Sequence, residues 1–269
     1  MCRVLKVSRS GYYFWRKRPM GKRKQEEQRI QPRIKALFQE SKGRAGSPKI
    51  AHALRQEGMT ISIRRTKRLM REACLVPNIR KKFRVTTTDS QHSYPIAPNI
   101  LDRNFTVSDP NMVWVTDITY LKVDSKWMYL VVFIDLFSRM VVGWELSDTL
   151  HHGFVLNAFY KAFWRRKPGY GLMVHSDRGV QYACDAFRAA LLTCQCIQSM
   201  SRKGNCWDNA VSESFFHLLK GELGETFICK EVAYQELFEY IEIDYNRKRM
   251  HSSLEYLTPA AFESRQKKI

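Results

Sequence analysis

The sequence predicts an α/β protein in which a mixed five-stranded sheet is flanked by helices and preceded by a small all-helical region. Three observations carry this expectation. Residues 113–146 fall into three runs rich in β-branched and aromatic residues, separated by short polar turns, which is the pattern of an antiparallel meander. Strand and helix patterns then alternate up to residue 222, which places helices against a sheet. The charge is also lopsided: residues 1–100 hold 25 Lys and Arg against 6 Asp and Glu, residues 101–269 hold 20 of each, and the net charge is +19.

In chain order, residues 1–22 form a basic and aromatic arm. Tyr12-Tyr13-Phe14-Trp15, between Arg9 and Arg16-Lys17-Arg18, could stack on bases, yet four adjacent aromatics are expected instead to pack a small helical unit. Residues 23–80 read as helices, with Ile30, Ile34, Leu37 and Phe38 on one face. Ser47-Pro48 starts a second helix whose apolar side is Ile50, Ala51 and Leu54. Gly58 stops it, and Ser62 caps a third helix with Ile63, Leu69, Met70 and Ala73 as its apolar positions. Two short helices around a Gly-containing turn suggest a helix-turn-helix. The third would lie on DNA with Arg64, Arg65, Lys67, Arg68 and Arg71, joined by Lys49 from the helix before it. A half-chain this basic is the electrostatic footprint of a polyanion, with double-stranded DNA preferred over a solvated basic surface or an RNA or ribosome contact.

Residues 81–111 lose periodicity and carry Pro95, Pro98 and Pro110, which marks an extended linker. Strands follow at 113–123, 127–136 and 140–146, then a helix at 153–166, a strand at 172–176, a helix at 183–193, a short strand at 197–200 and a helix at 209–222. Residues 226–269 read as a helical extension.

Several classes are excluded. The longest apolar run, Met128 to Ile134, is far short of the roughly 20 residues that span a bilayer. The charged N-terminus is no secretory signal, which leaves a soluble, cytoplasmic protein as the expectation. The seven cysteines are scattered, without a Cys-x-x-Cys pair, so reduced thiols are expected and not a zinc site.

Three acids stand in expensive places. Strand alternation puts Val113, Val115, Asp117, Leu121 and Val123 on one face, so Asp117 interrupts an apolar stripe where an unpaired charge is costly. Pairing to an Arg, or a sheet-edge position, is the simpler alternative. Asp177 ends the fourth strand, at the carboxyl edge where α/β sheets bind ligands, although Asp before Arg-Gly is also ordinary turn chemistry. Glu213 lies almost opposite the helix stripe Val211, Phe215, Leu218 and Leu219, which suits exposure. It shares its face, however, with Asn209 and with Phe216, which would not normally be left wet. No nucleophile elbow, phosphate-binding loop or His-Glu-x-x-His competes. Three carboxylates brought together would repel unless divalent cations offset them, and all-oxygen ligands suit Mg²⁺ or Mn²⁺. Two such ions can activate a nucleophile and stabilise a leaving oxygen at a phosphodiester.

Four segments carry a resemblance: Trp114-x-Thr116-Asp117-Ile118-Thr119-Tyr120; Asp135-Leu136-Phe137-Ser138-Arg139; His175-Ser176-Asp177-Arg178-Gly179-x-Gln181-Tyr182; and Lys203 through Phe216. Together they resemble the DDE core of bacterial insertion-sequence transposases of the IS-three family, second reading frame. Thirty-five residues separate Asp177 from Glu213, as in that family, and the tail from Tyr245-Asn246 to Phe262 is similar to its C-terminal signature. Two positions depart from it, Ala45 before Gly46 and Glu255 where relatives often carry Gly. The resemblance implies a ribonuclease-H-like core over 112–225 and a two-metal site on Asp117, Asp177 and Glu213. It further implies copy-out, paste-in transposition through a joined-end circle, with Lys203, His175, Gln181, Asn205 and Asn209 orienting DNA or the acids. It implies a homo-oligomer on DNA and an upstream-frame partner, or a frameshift fusion with it. A metal-dependent nuclease without strand transfer, and a non-catalytic DNA-binding regulator or assembly partner, stand as alternatives.

Overall fold

The computed structural model describes residues 4, 7–17, 19–78, 93–202 and 206–266. The chain divides into two units, residues 1–78 and 79–269.

The first unit is helical. Helix α1 (Arg9–Lys17) forms on the aromatic run but buries none of its residues, contrary to the expectation that it packs; Phe14 and Trp15 are largely exposed. Helix α2 (Lys22–Glu40) carries Ile30 and Ile34 inward despite Pro32. Helix α3 (Ser47–Gln56) starts with Pro48 in its first turn and ends before Gly58, whose φ of 81° suits a residue without Cβ. Helix α4 (Ile63–Glu72) is capped by Ser62 Oγ, which accepts the Arg65 amide at 3.2 Å. Ile30, Ile34, Ile50, Leu54, Leu69 and Met70 make the core. Ile63, expected on the apolar side, is exposed instead, and Ile61 is the buried neighbour.

The second unit holds the sheet. Strands β1 (Val113–Val123), β2 (Lys126–Asp135) and β3 (Val141–Ser147) form the expected meander. Helix α5 (His152–Arg166) follows, then β4 (Met173–Ser176), helices α6 (Val180–Ala183) and α7 (Asp185–Thr193), and β5 (Ile197–Met200). The order is β3-β2-β1-β4-β5, with β4 parallel to β1 and β5 parallel to β4. Helix α8 (Ala210–Leu223) leads to a sixth, two-residue strand, β6 (Thr226–Phe227), which pairs with the far end of β1. Helix α9 (Lys230–Phe238) continues as a π-helical stretch, Glu239–Lys248, and α10 (Pro259–Gln266) closes the described tail.

Alternation along β1 sorts the sheet faces. Val113, Val115, Leu121 and Val123 pack with Phe215, Leu219, Leu237 and Tyr240 under α8 and the tail. Trp114 and its even-numbered neighbours face Phe154, Phe159 and Phe187 of α5 and α7. At Gly143 of β3 a Cβ would stand 2.6 Å from the Ala158 carbonyl oxygen, so this glycine lets α5 approach the sheet. Leu101, before β1, is buried in the first of these cores. No helix among the described residues is long and apolar enough to cross a membrane.

Candidate active site

Parallel pairing aligns Val113, Trp114 and Val115 of β1 with Met173, Val174 and His175 of β4. Two residues further along the same register, Asp117 comes level with Asp177, just past the end of β4. Beyond that point β1 has no partner on this side until Lys122 meets β6, so the sheet opens at the two acids. Asp117 points to the face covered by α8, as alternation predicted. Glu213 lies in the first turn of α8, exposed, while Phe216 is buried in the core beneath.

The three carboxylates sense one another. Burial and then the charges of Asp177 and Glu213 push the Asp117 carboxyl well above the usual carboxylate range, opposed by the Ile118 amide, which donates to Asp117 Oδ1 at 2.8 Å. Asp177 Oδ1 accepts the Gly179 amide at 3.0 Å, closing the turn that aims it off the strand end. Tyr182, buried beneath, shares a 3.1 Å hydrogen bond with Thr116 Oγ1, and its phenol is pushed up by burial and by Asp177 and Asp117. Among the described residues no three His, Cys, Asp or Glu converge tightly enough to enclose an ion. The acids therefore lie within electrostatic range of one another without closing into a ligand cage. As a donor set, all-carboxylate and mutually repelling, they fit a hard divalent cation better than a proton-shuttling pair.

The remaining candidates are more dispersed. His175 is buried, with Nδ1 2.9 Å from Ser199 Oγ, and burial holds its pKa down at about 4. Gln181 Nε2 donates to the Leu150 carbonyl at 3.2 Å, and Asn209 Nδ2 to the Thr116 carbonyl, beside Asp117, at 3.4 Å. Of these three, only Asn209 meets backbone directly beside one of the acids. Lys203 and Asn205 lie outside the described residues. In the helical unit, Arg65 pairs with Glu26 at 2.9 Å and Glu27 at 3.2 Å, and Arg68 with Glu27 and Glu72. Arg64, Lys67 and Arg71, spaced to share one face, are exposed and make no ion pair among the described residues. Lys49 is half-buried on α3.

Sequence reasoning gave no role to Asp208, although it stands in the quoted Trp207-Asp208-Asn209 run. Its carboxylate is fully buried and accepts from Arg103 Nε (2.9 Å), Asn99 Nδ2 (3.1 Å) and Arg202 N (3.0 Å), Nε (3.0 Å) and Nη2 (2.9 Å). An acid inside an otherwise ordinary helix-start signal was the only hint.

A mixed sheet opening onto three acids, joined to a compact helix-turn-helix-like unit, defines an integrase-core protein with a DNA-binding module. Residues 107–206 and 213–266 match families described as integrase core domains, and residues 25–83 match an HTH-like domain. Transposase InsF for insertion sequence IS3A of Escherichia coli strain K12 is 40% identical over 269 residues, spanning 98% of this chain and 93% of that one. An IS600 31 kDa protein of Shigella sonnei is 37% identical over 98% of each chain. The chain belongs to the IS3 family of insertion-sequence transposases. The catalytic core of HTLV-2 integrase, solved in complex with magnesium, aligns at a TM-score of 0.47 and 16% identity, over 58% of this chain and 97% of that one.

Proposed function

We propose that this transposase cleaves DNA at the ends of its insertion sequence and transfers the freed 3′-hydroxyl to a new phosphodiester, with Asp117, Asp177 and Glu213 as its catalytic acids. One observation carries the reading: the β1–β4 register brings Asp117 level with Asp177 beneath α8, where burial and then the carboxyls of Asp177 and Glu213 hold the Asp117 carboxyl above the usual carboxylate range. The three acids would hold Mg²⁺ or Mn²⁺, two ions per site, which would activate the attacking oxygen and stabilise the leaving one.

In each step one phosphorus–oxygen bond forms as the opposite 3′-oxygen bond breaks, and the departing oxygen takes up a proton. The chain's own contribution is to fix the acids. β1 and β4 hold the two aspartates level, the turn at Gly179 directs Asp177, and α8 brings Glu213 over the opening. The exposed Arg64, Lys67 and Arg71 of α4 would grip the phosphates of the element's terminal repeats. The protein would work in the cytoplasm as an oligomer on DNA, with an upstream-frame protein, or a fusion to it, as assembly partner.

The test is a gel assay with the purified chain, Mg²⁺ and a labelled duplex carrying the DNA that flanks its gene. Cleaved and longer joined products are expected, lost in Asp117→Asn, Asp177→Asn and Glu213→Gln while DNA binding persists. Cleavage without joined products would indicate a nuclease. A variant that still joins strands would end the assignment of the acids.

A further inference from the structure

One polar network reaches Thr116 beside Asp117, His175 two residues before Asp177 and Asn209 about one turn before Glu213. Its centre is Asp208, whose two oxygens accept five hydrogen bonds from the chain before β1 and the chain after β5. Arg202 meets it as a fork, Nε on one oxygen and Nη2 on the other, the planar two-point geometry that fixes direction as well as distance. Ser199 Oγ accepts the amides of Ile100 and Leu101 at 2.9 and 3.2 Å and lies 2.9 Å from His175, two residues before Asp177. The segment 99–103 is thus held to Asp208 at both ends, through Asn99 and Arg103, and to Ser199 of β5 in between. Asn209, the next residue, reaches the Thr116 carbonyl beside Asp117. Glu213 follows within one and a half turns.

Burying a carboxylate between two guanidiniums is a poor way to gain stability, because desolvation offsets most of the attraction. What such a cluster supplies is a fixed orientation. We propose that Asp208 is a positioning residue, whose paired contacts with Arg103 and Arg202 set the first turn of α8 and so place Glu213 against Asp177 and Asp117. The proposal rests on the reading of these three as the metal-binding acids. Partners that orient ligating carboxylates typically change metal affinity or activity by about 10- to 100-fold when altered.

The experiment uses the full chain as wild type, Arg103→Gln, Arg103→Lys, Asp208→Asn and Asp177→Asn. The Mg²⁺ concentration that half-saturates the rise in thermal midpoint is measured without DNA, and single-turnover cleavage of a labelled end duplex gives the rate and the KM for DNA. Arg103→Gln is expected to need about 10-fold more Mg²⁺ and to cleave about 10-fold more slowly at unchanged KM, with Arg103→Lys recovering part of both. Arg103 is half-exposed and leaves Asp208 its Arg202 fork, so this variant folds even where Asp208→Asn does not. Wild-type metal dependence in Arg103→Gln, or slower cleavage that only follows a lower thermal midpoint, would overturn the proposal. An unchanged Mg²⁺ response in Asp177→Asn would remove the reading beneath it, and the proposal with it.

Discussion

Asp208 shows how much one side chain can be made to hold. Arg202 and Arg103 keep its carboxyl well below the usual carboxylate range, the hydrogen bonds of Arg202 being the largest cause. A folded-state pKa lowered beneath the unfolded value near 3.8 means that the ionised form favours folding. That stabilisation is fully present above the unfolded value and is lost only as pH falls through the folded one. The difference in urea midpoint between wild type and Asp208→Asn should therefore be largest and constant at neutral pH, and shrink only below the ordinary aspartate range. A difference that does not vary down to strong acid would show that the ion pairs contribute nothing through charge. Glu255 tells a different residue-scale story. It adopts a φ of 55°, the left-handed region that glycine enters without a Cβ clash.

At the scale of elements, α4 divides its basic residues by the acids they meet. Arg65 and Arg68 are held by Glu26 and Glu27 of α2 and by Glu72, whereas Arg64, Lys67 and Arg71 face outward. Changing each outward residue to Gln should weaken binding evenly across DNA sequences and lower the log-log salt slope by about 1 for each phosphate no longer neutralised, at unchanged thermal midpoint. Arg65→Gln should instead cost on the order of 1 kcal/mol of stability, toward the upper end for such pairs because two acids are left without it. Thermal melts and salt titrations of both sets check the division. In the sequence all five looked alike, because Glu27 lies 38 residues from Arg65 and only the α2 packing joins them. The strands of the meander, the Ser62 cap and the Gly58 stop were legible, since each rests on local periodicity or local hydrogen bonding. β6 was not, since two residues carry no period, and its pairing with Lys122 and Val123 is set by the return of the chain after α8. The exposed aromatics of α1 were misjudged for a related reason: an aromatic run shows that burial would be favourable, not that a partner surface is present.

For the whole molecule, charge and chemistry are separated along the chain. Nearly balanced charge in residues 101–269 leaves the integrase core little non-specific attraction for DNA, and the basic excess in residues 1–100 supplies it. With six to ten phosphates neutralised, affinity should fall by about 10³ to 10⁵ between 50 and 200 mM salt. Nearly constant affinity over that range would contradict the separation. The three acids were individually visible in the sequence as costly residues, but their meeting was not, because it depends on the parallel register of β1 with β4 and on the return of α8. Only the resemblance to a known family joined them beforehand.

That register also sets a schedule. The β1–β2–β3 meander closes between neighbours in sequence and can form early, while β4 and then α8 must meet β1 across much larger sequence separations, which is slower. A ribosome adding roughly 5–20 residues per second needs about 5–20 s to pass from Asp117 to Glu213. For most of that interval the residues of the meander have been synthesised and Glu213 has not. The three acids proposed as catalytic therefore come together only once α8 has been made and has docked.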